Sequence, residues 1–376
     1  MTKLQNPFIT SGYVAAEYFC DREKESELLL KNIRNGNNVT LISTRRMGKS
    51  GLIRHCFNNP EIAKNYTTFF VDIYATKSLN DLVFLLSKSI FNQLKSTSRK
   101  VLENFLTTLK SIRPEVSFDE SGVPSLALGI GDIQKPETSL DEIFQFLNNS
   151  AKPCIVAIDE FQQITKYPES NTEALLRTYI QHNPHTRFIF SGSQHHIMGE
   201  MFTSAARPFF ASTSIISLDA IEKQKYTEFA QKHFKNHKKE ITAETIEYIY
   251  NMFEGVTWYV QKTLNALFGE TPAGELCAVE MVNETIGEIV NSNKYVYSES
   301  MFRLPDKQGK LLIAIAKDGK VLAPTSSEFV KKHNLISASS VQAALRGLLE
   351  KEFITRDEQN YVVYDKFFEM WMREKY

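Results

Sequence analysis

The sequence carries no excess of either charge, since Lys and Arg total 44 and Asp and Glu also total 44. That balance removes any global field that would draw the chain to nucleic acid or to an anionic membrane. No run of about 18 or more apolar residues occurs, which argues against a transmembrane helix. The opening MTKLQNPFITSGY likewise lacks the apolar core of a signal peptide. Cysteine is sparse: Cys20, Cys56, Cys154 and Cys277 are scattered, with no C-x-x-C pair. Two of them sit inside apolar runs, the usual place for a buried free thiol, so a reducing compartment and a cytoplasmic protein are expected. Internal repeats and low-complexity tracts are absent. What remains is an ordinary globular composition, 42% hydrophobic and 23% charged, over 376 residues. That length suggests two or three domains.

The chain is organised around Val39–His55, VTLISTRRMGKSGLIRH. An aliphatic and β-branched run, Val39 to Ile42, reads as a strand, and a polar loop ending Gly48-Lys49-Ser50 follows. A helical pattern then carries Leu52, Ile53, Cys56 and Phe57 on its apolar face. Strand, loop and helix in that order are the context of a P-loop. The backbone N–H groups of Ser43, Thr44, Arg45, Arg46, Met47, Gly48, Lys49, Ser50 and Gly51 would cradle phosphate at a helix N-terminus. Lys49 would reach the β- and γ-phosphates and the Ser50 hydroxyl would ligate Mg²⁺. One position departs from G-x-x-x-x-G-K-[ST]: Ser43 stands where the first glycine belongs. Ser supplies the same N–H, but lacks glycine's easy access to positive φ.

The second decisive stretch is Cys154-Ile155-Val156-Ala157-Ile158-Asp159-Glu160. Five apolar residues read as a strand buried on both faces, as in a parallel sheet. The two acids that end it form a Walker B arrangement, with Asp159 holding Mg²⁺ and Glu160 deprotonating the attacking water. Arg187–Gln194 reads as a further buried strand, and Ser193 and Gln194 at its end are candidate γ-phosphate sensors. Arg207, in the loop before a fifth strand at Thr213–Leu218, is a candidate arginine finger acting in cis or in trans. His195 and His196 have no carboxylate or Cys at ligand spacing to make a metal site.

Around these elements, Asp21 is a plausible N-cap for a helix running to about Asn35. Segments 79–94, 101–109 and 139–149 read as amphipathic helices, and 113–136 as a hairpin-like insertion on the core. From Glu222 to about Asn291 nearly every segment is helical. After a linker at Phe302–Gly309, three helices with a two-stranded wing and a last helix, Asp365–Glu374, read as a winged helix-turn-helix. The resulting division is an N-terminal segment (1–36), a core (37–220), a helical lid (221–301) and a winged helix (302–376).

Taken together, these motifs resemble the archaeal-type ATPase family, in the STAND branch of AAA+ P-loop NTPases. The resemblance covers nearly the whole chain. It rests on Tyr18-Phe19-Cys20-Asp21-Arg22-Glu23, Arg45-Arg46-Met47-Gly48-Lys49-Ser50, Ile158-Asp159-Glu160-Phe161-Gln162, Phe190-Ser191-Gly192-Ser193, Gly255-Val256-Thr257-Trp258-Tyr259-Val260-Gln261 and Tyr364–Trp371. It implies an α/β fold: a three-layer P-loop (AAA+/ASCE) parallel sheet of order 5-1-4-3-2, followed by the helical lid and the winged helix. It also implies that Phe19 and Arg22 border the adenine, and that the Gly255–Gln261 segment packs over the nucleotide. Thr257 replaces the proline usual in that segment.

The expected activity is an Mg²⁺-dependent ATPase that binds ATP or ADP and works as a nucleotide-controlled switch through lid and winged helix. Alternatives are a DNA-binding protein under ATPase control and a non-catalytic nucleotide-binding scaffold; kinase activity lacks an acceptor-binding motif. Duplex DNA, a protein partner and self-association are all open as uses of the winged helix. Residues 305–376 hold twelve basic and ten acidic side chains, a weak balance for gripping phosphate. The helix from Ser339 to Arg346 offers Ser339, Gln342 and Arg346 as base-reading groups.

Overall fold

A computed structural model describes residues 4–96, 99–111, 115–118, 124–127, 133–357 and 359–376. The chain divides into two compact units, one of Met1–Phe229 with Gly255–Gln261, the other of Ala230–Glu254 with Lys262–Tyr376. The sequence reading divides the chain differently, into a leading segment and three domains. Two of the three unit boundaries fall inside the helices Lys223–Asn236 and Thr257–Glu270, and the third lies between Glu254 and Gly255.

The first unit is built on β1 (Val39–Ile42), β2 (Thr67–Asp72), β3 (Glu115–Phe118), β4 (Pro124–Ala127), β5 (Cys154–Asp159), β6 (Thr186–Gly192) and β7 (Ser214–Ser217). Five of these make one sheet, in the order β2-β5-β6-β1-β7, and all of its pairings are parallel. Counted among the five alone, this is the expected order 5-1-4-3-2. β3 and β4 pair antiparallel as the hairpin expected within the insertion, Glu115 opposite Ala127 and Phe118 opposite Pro124.

β1 and β5 are buried at every position, because helices cover both faces of the sheet. Alternate residues sort the two layers. Ile155 and Ala157 face a cluster with Leu29, Ile33, Leu52 and Ile53, from α1 (Glu23–Arg34) and α2 (Lys49–Phe57). Val156 and Ile158 face the other cluster, with Leu86, Ile90, Ile143 and Phe188. This alternation is what makes the unit three-layered. All four cysteines are buried free thiols, and burial pushes Cys154 up to about 11 and Cys56 up to about 12.

Two local expectations change. Asp21 does not cap α1: Arg22 holds the cap position, and both residues are left-handed, at φ 53° and 76°. The reason is tertiary, because the Arg22 guanidinium turns back to the Met47 carbonyl. The linker expected at Phe302–Gly309 shrinks to a break between the helices Lys294–Phe302 and Asp306–Asp318, with Pro305 at the second helix's cap.

In the second unit, helices Ala243–Met252 and Glu280–Ser292 are accompanied by a two-residue parallel pairing of Glu240–Ile241 with Leu276–Cys277. Helix Asp306–Asp318 then packs with Ala338–Glu350 and Lys366–Lys375. Strands Ile354–Asp357 and Asn360–Val363 form the wing hairpin, extended by a bridge from Val321 to Tyr361. Ser337 and Asp365 cap their helices by accepting from Ser340 N and from Phe367 and Phe368 N.

Candidate nucleotide site

The carboxyl edge of the sheet carries the site. β1 runs out at Ile42 and α2 begins at Lys49, so Ser43–Gly48 must reverse the chain in six residues. Arg46 (φ 67°) and Gly48 (φ 93°) provide the left-handed turns. Ser43 is not among the positive-φ residues. The missing glycine therefore costs no backbone strain. Its hydroxyl donates to the Thr44 carbonyl at 2.8 Å and accepts from Lys49 Nζ at 3.1 Å.

Lys49 is buried, and its ammonium also donates to the Ser43 and Thr44 carbonyls at 3.2 and 3.0 Å. Burial lowers its amine to about 8, while the Glu160 and Asp159 carboxylates pull it back up. Ser50 Oγ donates to Asp159 Oδ2 at 2.5 Å, and Ser191 Oγ donates to Oδ1 at 2.6 Å. Asp159 is thus fixed at both oxygens, and buried.

Glu160 follows in a left-handed conformation at φ 58°, which turns the chain sharply into the 3₁₀ helix Phe161–Lys166. Its Oε2 accepts from Ser193 Oγ at 2.6 Å and from the buried Gln162 amide. Ser193 in turn accepts from Arg45 Nε at 2.8 Å. One hydrogen-bonded chain therefore joins the β1–α2 loop, the end of β6 and Glu160. Gln162 and Ser191 are members of this network that the sequence reading did not single out, although both lie inside the motif stretches.

A cleft of about 310 Å³ opens above these groups. Five cationic side chains line it (Arg22, Arg45, Arg46, Lys49, Arg54) against two carboxylates, Asp159 and Glu160. Such a balance suits a polyanion. Phe19 and Arg22 both line it. Phe19 stacks on His55 at 4.5 Å, and Arg22 is buried between Glu25 and the Met47 carbonyl. Trp258 also lines the cleft and is not among the site residues selected from the sequence. Its backbone N–H donates to the Arg46 carbonyl and its indole N–H to the Thr10 carbonyl, both at 3.0 Å. The Arg46 guanidinium lies over the Trp258 ring at 4.3 Å and over Tyr259 at 4.8 Å, and donates to the Tyr259 hydroxyl.

Ser43, Thr44 and Ser193 do not line the cleft themselves but bond to Lys49, Arg45 and Glu160, which do, while Gln194 and Arg207 also lie outside the lining. Gln194 occupies the cap position of helix His195–Thr203, next to Ser193. Arg207 pairs with Glu173, and at 3.7 Å with Glu200. Among the described residues, no group of three or more His, Cys, Asp and Glu could hold a metal ion, and no helix is long and apolar enough to cross a membrane.

A loop between β1 and α2 at the edge of a 5-1-4-3-2 parallel sheet, with a winged helix behind it in sequence, defines the P-loop ATPase fold. Residues 19–263 match the family described as "ATPase domain predominantly from Archaea", and residues 295–374 match a "probable winged helix domain". The chain belongs to this archaeal-type ATPase family. No curated protein matches it. Among solved structures it is similar to a Walker-type ATPase of Pyrococcus abyssi, with TM-score 0.66 and 18% identity over 98% of this chain and 99% of that one. It is also similar to the Aeropyrum pernix ORC2 protein in ADPNP–ADP complexes (0.55, 12%, covering 98% of both chains). The ORC1 protein of the same organism, in complex with DNA, is similar at 0.53 and 11%, over 95% of this chain and 93% of that one. At these identities the likeness is one of fold.

Proposed function

We propose that this protein binds ATP or ADP with Mg²⁺ in the cleft, hydrolyses the β–γ anhydride of ATP, and uses the nucleotide state as a switch. The observation that carries this reading is the meeting of Lys49, Ser50, Asp159 and Glu160 at one cationic cleft. Protonated Lys49 and the loop N–H groups would hold the phosphates. Ser50 Oγ and Asp159 Oδ2, 2.5 Å apart, are hard oxygen donors of the kind Mg²⁺ takes while keeping several waters. Bound there, the ion would neutralise charge on the phosphates.

Both hydrogen bonds to Glu160 fall on Oε2, which leaves Oε1 to take the proton of an attacking water. Ser193, bridging Arg45 and Glu160, would act as a positioning residue. The switch would run through the Arg46–Trp258–Tyr259 clasp, which ties the phosphate loop to the start of helix Thr257–Glu270. An arginine finger from Arg207 would have to leave Glu173, and would need ATP-dependent self-association if it acts in trans but not if it acts in cis. Sizing the protein with and without ATP tests that point. Titration of ATP with Mg²⁺ onto wild type and Lys49→Ala tests the site. Saturable binding lost in the variant is expected, and equal binding would refute the assignment.

One observation favours DNA as a partner of the winged helix. Ser339, Gln342 and Arg346 are exposed along one face of helix Ala338–Glu350, while Val341, Ala344, Leu345 and Leu348 are buried on the other. A salt-dependent shift with duplex DNA that disappears in Arg346→Glu would support this use; no shift at low salt would leave the surface to a protein partner.

A further inference from the structure

Residues 9–15, seven in a row, all line the cleft. They precede the 3₁₀ turn Ala16–Tyr18 and belong to no helix or strand. Both ends of this segment are anchored. Phe8 is fully buried, its ring edge-on to Phe229 at 6.1 Å. Tyr18 is buried too, and its hydroxyl accepts from the Leu4 N–H at 3.1 Å. Between the anchors no residue of 9–15 is buried, and Ser11, Gly12 and Val14 are exposed. Among the described residues, 9–14 make no backbone–backbone hydrogen bond.

Two side chains hold the middle of the segment. The Trp258 indole N–H donates to the Thr10 carbonyl at 3.0 Å, and the Tyr13 hydroxyl meets His55 Nδ1 at 3.1 Å. The Tyr13 ring also stands edge-on to Phe19 at 5.8 Å. Gly12, at φ 73°, turns the chain between the two holds. Both reach the phosphate loop: His55 lies on the helix that starts at Lys49, and Trp258 carries the Arg46 guanidinium on its ring. A segment fixed at its ends and held by so few bonds, with no ladder or core of its own, opens at low cost beside the sheet and helices around it. Other walls of the cleft lack that freedom, since Lys49 and Asp159 are buried and Arg22 is pinned to Glu25 and the Met47 carbonyl. At about 310 Å³ the cleft is near the lower end for ligand pockets, about 300–1,000 Å³. Entry and exit of a ligand that fills it call for a wall that moves.

We infer that residues 9–15 form a strap that gates the cleft, latched by Trp258 on Thr10 and by Tyr13 on His55, and that a nucleotide enters or leaves only while the latch is open. This rests on the nucleotide reading above and adds a means of regulating that site. A latch that is alike with and without ligand slows entry and exit by the same factor and cancels from the affinity. The strap therefore sets how long a nucleotide state lasts, separately from how tightly the nucleotide is held.

The test is stopped-flow kinetics on the full chain with Mg²⁺ and ADP carrying a fluorescent N-methylanthraniloyl group on its ribose, chased with unlabelled ADP. Tyr13→Phe removes the hydroxyl and keeps the ring. Trp258→Phe removes the indole N–H and keeps an aromatic face for Arg46. Each variant is expected to raise both the association and the dissociation rate constant about fivefold, the worth of one net hydrogen bond. The ratio of the two constants should move by less than about twofold, and the double variant should be faster than either. Unchanged rate constants in both variants would overturn the inference. A rise in dissociation alone, with affinity weakened in proportion, would overturn it too, because the two side chains would then be ligand contacts and not latches. Failure of wild type to bind labelled ADP, or unlabelled ADP by calorimetry, would overturn the nucleotide reading itself.

Discussion

The Ser193 hydroxyl donates to the Glu160 carboxylate at 2.6 Å while accepting from Arg45 Nε at 2.8 Å. One small side chain thereby couples a cation of the phosphate loop to the proposed base. Ser193→Ala is expected to free both ends. Turnover should fall about tenfold, with ATP affinity changed less than about threefold, since general-base catalysis depends on orientation more than binding does. Steady-state kinetics beside equilibrium binding checks this. A loss confined to affinity would place Ser193 in binding instead.

The loop makes a paired prediction. Ser43 has no positive φ, so Ser43→Gly removes a single acceptor for Lys49 and leaves the Ser43 and Thr44 carbonyls in place. ATP affinity should stay within about threefold of wild type. Gly48 sits at φ 93°, and a Cβ there meets nothing within 4 Å. Gly48→Ala should therefore cost about 1–2 kcal/mol of stability from backbone strain alone, read as a shifted denaturant midpoint with an unchanged slope.

Lys49 gives a pH dependence with a definite sign. Burial holds its amine at about 8 in the folded protein, below the ordinary 10.5. Between those values the unfolded chain binds more protons than the folded one, so this group's contribution to stability rises with pH. Its cost is full below about 8 and relieved as pH climbs toward 10.5. Unfolding free energies at pH 7.5 and 10 should show wild type gaining on Lys49→Met. Calorimetry adds a second readout: ATP binding near pH 8.5 should take up a fraction of a proton, seen as buffer-dependent heat, because bound phosphate restores the ammonium form.

Much of this site is legible in the sequence because its signals are local. An apolar run, a glycine at a tight turn and acids at a strand end lie within a few residues of one another at Val39–Ser50 and Cys154–Glu160. The sheet order is legible only through resemblance, since nothing local says which strand lies beside β1. What escapes is contact over long sequence separation. Arg45 and Ser193 are 148 residues apart, and Trp258 meets Thr10 across 248. Arg22 is singled out only through the resemblance, and nothing local says that its guanidinium donates to the Met47 carbonyl. Arg207 reads as a candidate arginine finger in a loop, and its pairing with Glu173 on helix Thr172–Gln181, 34 residues earlier, has no local signal.

The most direct test of ATP hydrolysis at this site is a single-turnover experiment with labelled ATP and Mg²⁺ on wild type and Glu160→Gln. Wild type is expected to release ADP and phosphate. Glu160→Gln should retain intact ATP with turnover reduced by a factor of about 100 or more. Equal phosphate release from the two proteins would contradict the assignment of Glu160 as the base and, with it, the catalytic reading of the cleft.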